Sequence, residues 1–141
     1  METYVEFRSD RFPAYDGEER ELNPGLWGKR LAEYLQQALH VEGFETGEPF
    51  AEDWGWVVPI LNESFRLWIG CGRYQEYPDG FLCFISPHKP FVRRFLRKVD
   101  TRERIESLQR SMDRVLAEDE GIRGKRWWTH EEFNNPYGPK R

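Results

Sequence analysis

Residues 54–71 read WGWVVPILNESFRLWIGC, and this stretch decides the fold. Trp54, Trp56, Val58 and Ile60 alternate, and so do Phe65, Leu67, Ile69 and Cys71. A period of two is that of a strand with one buried face. A tight turn at Asn62-Glu63 pairs Ile60 with Phe65, Val58 with Leu67, Trp56 with Ile69 and Trp54 with Cys71. Both apolar sets then share one face, as a sheet buried on one side requires. A β-hairpin is predicted at the centre of the chain.

The same reading extends outward. Tyr77-Pro78-Asp79-Gly80 has Pro at i+1 and Gly at i+3 of a turn, and it leads into a strand over Phe81 to Ile85. Thr3 to Ser9 alternates through Val5 and Phe7 and reads as a strand. Asp10 to Leu22 is an acidic loop without periodicity. Asn23-Pro24 is a helix-opening pair, and Trp27, Leu31, Tyr34, Leu35 and Ala38 line one face of a helix over 24–42. Phe91, Val92, Phe95, Leu96 and Val99 follow a helical stripe, which predicts a short helix with Arg93, Arg94, Arg97 and Lys98 on its outer side. Asp100 and Glu103 have capping-box spacing. They open a second main helix through Ile105, Leu108, Met112, Val115 and Leu116 to Gly121. Ile122 to Thr129 reads as the last strand.

The order β-α-β-β-β-(α)-α-β implies the α+β class, with a mainly antiparallel sheet and two main helices on one face. Residues 1–130 are read as a single domain and 131–141 as an irregular tail. The length of 141 residues suits one core, and 22 aromatic residues argue for a compact fold although 33% of the chain is charged. No apolar run approaches the ~20 residues that span a bilayer, and METYVEFRSD lacks a signal-peptide apolar region. The expectation is a cytoplasmic chain without a membrane association.

Motifs exclude more chemistry than they support. Cys71 and Cys83 lack metal or redox spacing and are expected reduced and inert. Their relative placement depends on the width of the preceding loop. His40, His88 and His130 are far apart, so neither a metal nor another cofactor is expected. There is no nucleophile elbow, phosphate loop or dinucleotide fingerprint. The reading therefore leans away from an enzyme, an undetected hydrolase built on His88 with Glu52 or Asp53 being the alternative.

Binding is better supported. Residues 89–114 hold nine cations against four carboxylates, net +5, leaving −9 for the rest of a chain whose total is −4. Adjacent Trp127 and Trp128 must point to opposite faces of the last strand, so one of them needs a cover. That cover is either another molecule or Phe133 and Tyr137 of the tail. Trp127, Trp128, Arg93, Arg97 and Arg126 are thus the first candidate binding residues, with an indole as anchor and guanidiniums orienting a carboxylate-bearing partner. Glu52, Asp53 and Trp54 are a secondary candidate; the hairpin register argues instead that Trp54 and Trp56 are both core. The expected function is a small regulatory or neutralising module that binds another protein, a second copy of itself included. A small-molecule or nucleic-acid binder using Trp and Arg is the alternative, although a pI near 5.5 disfavours nucleic acid.

Overall fold

The central hairpin forms, but two residues out of the predicted register. In the computed structural model, which describes residues 1–135, β3 (Gly55–Ile60) pairs antiparallel with β4 (Leu67–Arg73). Ile60 meets Leu67, Val58 meets Ile69 and Trp56 meets Cys71. The connection spans 61–66 rather than a tight turn at Asn62-Glu63. Asn62 Nδ2 donates to the Phe65 carbonyl at 3.0 Å, so the loop bonds to itself, and Phe65 stays buried outside the strand. A slip of two keeps every side chain on its face, so the one-sided apolar pattern survives. Trp54 is the exception. It occupies the turn between β2 (Phe50–Glu52) and β3, and its ring lies 5.1 Å from Phe84 on the opposite face. The expectation that it joins Trp56 in the core is corrected: Trp56 is 4% exposed and Trp54 38%.

β1 (Glu2–Arg8), β5 (Gly80–Ser86) and β8 (Arg123–Thr129) complete a six-stranded antiparallel sheet in the order β2-β3-β4-β5-β1-β8. One face carries Val5, Phe7, Val58, Ile69, Phe81 and Ile85. It is covered by α2 (Lys29–Val41), through Leu31, Leu35 and Leu39, and by α3 (Arg102–Glu118), through Ile105, Leu108, Met112 and Leu116. This is the expected α+β arrangement. Among the described residues no helix is long and apolar enough to cross a membrane.

The start of α2 differs from the sequence reading. Asn23-Pro24 lies in the preceding loop, and the helix begins at Lys29 after Gly28. Its free N–H groups are met from elsewhere in the chain. The buried Glu18, in the one-turn helix α1 (Glu18–Glu21), accepts from the N–H of Gly28 at 2.7 Å and of Lys29 at 2.9 Å through Oε2. The same oxygen takes the indole N–H of Trp56 at 3.0 Å, and Oε1 takes the N–H of Tyr15 at 2.9 Å. A carboxylate at a helix N-terminus complements the helix dipole, and this one also ties the long acidic loop to the sheet.

The predicted short helix over 91–99 is a hairpin instead, β6 (Phe91–Arg94) against β7 (Arg97–Asp100). At the other end of the chain, His130–Phe133 form one helical turn, α4, closed by a capping box between Thr129 and Glu132. Phe133 stacks on Tyr4 with ring centroids 4.8 Å apart. Residues 136–141 of the expected tail, with Tyr137 as a cover for a tryptophan, lie outside the described residues.

Cys71 and Cys83 are direct cross-strand partners, fully buried, with Sγ atoms 3.9 Å apart. Both are free thiols, and burial first, then the neighbouring Cys71, pushes the Cys83 thiol well above its ordinary pKa. A thiol raised in this way is a poor nucleophile at neutral pH.

Candidate interaction site

Trp127 and Trp128 point to opposite faces, as expected, but neither offers an open indole. Trp127 faces α3 and donates its Nε1–H to Asp113 at 2.8 Å. Trp128 is 2% exposed, donates to Glu6 at 2.7 Å, and lies under the guanidinium of Arg126 at 5.8 Å. Arg93 and Arg97 are elsewhere, on the β6–β7 hairpin rather than on a helix. The last strand belongs to the six-stranded sheet and the hairpin forms a two-stranded sheet of its own.

Glu52, Asp53 and His88 are also kept apart. The β2–β3 turn lies at one edge of the sheet. His88 follows β5 at the other end of the strands and stacks on His130 with centroids 3.6 Å apart and planes 7° from parallel. His130 Nδ1 in turn lies 2.9 Å from the Tyr4 hydroxyl. Among the described residues there is no group of three or more His, Cys, Asp or Glu able to hold a metal.

His88 is expected to make stability depend on pH. Burial first, then the facing His130 and the neighbouring Lys89, lowers the His88 pKa, with Glu131 opposing them. The unfolded chain therefore binds this proton more tightly than the folded one. Its stabilising contribution is present above an unfolded pKa of ~6.5 and is lost as pH falls through and below that value. The midpoint of thermal unfolding should drop between about pH 7.5 and about pH 5.5, and His88→Phe should flatten that drop. An unchanged slope in the variant would contradict the assignment.

The most unusual local structure is the β6–β7 hairpin. Val92 opposes Val99, Arg93 opposes Lys98 and Arg94 opposes Arg97, which leaves Phe95 and Leu96 as the turn. These two are 93% and 98% exposed. Phe95 has φ = 58°, a left-handed conformation that costs a bulky residue about 1–2 kcal/mol. Like charges directly opposite each other are destabilising, and here two successive cross-strand pairs are cation on cation. Residues 86–99 contain five cations and no carboxylate. Exposed apolar side chains, backbone strain and charge repulsion therefore coincide within six residues.

The base of the hairpin is firm. The Thr101 N–H donates to the Pro90 carbonyl at 3.0 Å, and the Thr101 hydroxyl donates to the Lys89 carbonyl. Arg94 Nη1 donates to the Glu63 carbonyl at 2.7 Å, and Val92 and Val99 pack against the core. Asp100 is held by Arg102, whose guanidinium brings its pKa down to about 2. A rigid stem thus presents a costly tip. Sequence reasoning missed it because Phe91, Val92, Phe95, Leu96 and Val99 fit a helical stripe and the turn lacks Gly, Asn or Pro. A signal was present nonetheless: Val92-Arg93-Arg94, then Phe95-Leu96, then Arg97-Lys98-Val99 is a near-palindrome, the symmetry of two arms around a two-residue turn.

No family model matches the chain, and comparison with curated proteins and with solved structures returns no match. The functional reading rests on this geometry.

Proposed function

We propose that the chain is a non-catalytic binding module that docks an acidic partner protein through the β6–β7 hairpin. The observation that carries the reading is the coincidence of an exposed Phe95-Leu96 turn with a collar of Arg93, Arg94, Arg97 and Lys98. The exposed tip and the repelling cation pairs are both met by one kind of surface, an apolar pocket rimmed by carboxylates. Full burial of a Phe or Leu side chain contributes about 1.5–3 kcal/mol. The planar guanidiniums add paired hydrogen bonds to carboxylates. The anchor expected at Trp127 or Trp128 is replaced by Phe95 and Leu96; the electrostatic role of Arg93 and Arg97 is retained. Two buried free thiols fit a reducing, cytoplasmic setting.

The test compares capture from the native lysate by three immobilised chains: wild type, F95S/L96S and R93E/R97E. A partner identified by mass spectrometry on the wild type should dissociate faster from the first variant. It should associate more slowly, and with weaker salt dependence, with the second. Equal capture by all three chains overturns the reading. So does hairpin-dependent binding to anionic lipid vesicles or to duplex DNA with no protein retained.

A further inference from the structure

We propose that the partner of the hairpin is a second copy of this chain, which receives Phe95 and Leu96 in the groove between the C-terminal halves of α2 and α3. The inference rests on the reading of the hairpin as a docking element and names its occupant.

The groove has a volume of about 560 Å³. Tyr34, Ala38, Val41 and Val115 supply its apolar lining, and Val41 is 85% exposed. Its rim is acidic, with Glu42, Glu118, Asp119 and Glu120 against the single cation Arg11. Two of these carboxylates are already engaged. Glu42 accepts from Arg114 at 2.6 and 2.9 Å, and Asp119 accepts from the Tyr34 hydroxyl and the Gly121 N–H, each at 2.8 Å, and from Arg11. Burial works against ionised Asp119, yet these bonds hold its pKa below the usual carboxylate range. Glu118 and Glu120 are exposed, and their carboxylates accept no hydrogen bond among the described residues. They stand at the negative end of the α3 dipole, in a helix with no basic residue in its last turn. An arriving cation is favoured there for the same reason that these two carboxylates are not.

The groove therefore matches the hairpin in two respects: apolar side chains for an apolar tip, and the two unengaged carboxylates Glu118 and Glu120 for the basic collar. The hairpin cannot fill the groove of its own chain. It runs directly into the N-terminus of α3, whereas the groove lies at the C-terminus of that 17-residue helix, about 25 Å away. Each hairpin arm has four residues, about 13 Å of strand. The match is met only between molecules, either reciprocally in a two-fold pair or head to tail.

Charge reversal tests this by sedimentation velocity on the full chain. Wild type should self-associate with rising concentration. R93E/R97E and E118K/E120K should each weaken association by ~30-fold or more, the scale of a hot-spot loss. All four sites are exposed, so these variants keep the fold. An equimolar mixture of the two variants should regain association, because each then meets its complement, and the quadruple variant should do so alone. Wild type that stays monomeric to about 1 mM overturns the proposal, as does failure of the mixture and the quadruple variant to recover. If the wild type is monomeric yet the lysate experiment still shows hairpin-dependent capture, self-pairing falls and the binding-module reading stands. If neither is seen, both fall.

Discussion

Glu18→Ala is expected to lower the free energy of unfolding by about 3–5 kcal/mol, measured by urea denaturation. One carboxylate serves four donors: the N–H groups of Tyr15, Gly28 and Lys29 and the indole of Trp56. Alanine leaves the Gly28 and Trp56 donors buried and unmet, each at a cost of about 1–3 kcal/mol, while Lys29 is near enough to the surface to recover water. Loss of the tie also frees the loop that precedes α2 from β3. Glu18→Gln keeps a carbonyl acceptor and should recover part of the loss. A change below about 1 kcal/mol in the alanine variant would show that water replaces the carboxylate and that the cap is dispensable.

Phe81→Ala should cost about 3–5 kcal/mol, the range for removing a buried ring from a close-packed interior. Phe81 is 2% exposed. Phe7 stacks beside it at 5.9 Å, and Phe12 meets it edge-on at 5.8 Å, with an interplanar angle of 88°. Phe12 belongs to the loop after β1, so the cavity reaches from the sheet into the segment that covers it. Circular dichroism against temperature and urea would read the loss. Near-native stability would mean that Phe7 and Phe12 close over the gap.

What the sequence disclosed follows from how local each determinant is. The faces of β1, β3, β4, β5, α2 and α3 were legible because periodicity is written in consecutive residues, and Trp56, Val58 and Ile69 take the predicted side. The register of β3 on β4 was not, because loop length is constrained by alternation only to within an even step. The start of α2 was misplaced because its cap, Glu18, comes from a separate turn, which no local cap signal reveals. Trp54 escaped because a residue in a turn is freed from the strand alternation that placed it inside. At the candidate site, the basic character of Arg93 and Arg97 was readable. The hairpin that turns it into a presented surface was hidden by an apolar spacing that a helix and a two-residue turn share.

The position of β1 has a kinetic consequence. Its residues pair on one side with β5 and on the other with β8, where Glu6 and Trp128 are 122 residues apart. During synthesis at about 5–20 residues per second, the first strand waits about 6–24 s for the neighbour that closes its open edge. Until then β1 presents unpaired backbone groups next to an incomplete apolar layer, the condition in which strand edges recruit wrong partners. Ribosome-bound chains stopped before residue 123 should therefore be the aggregation-prone species, and release of β8 the step that ends that risk.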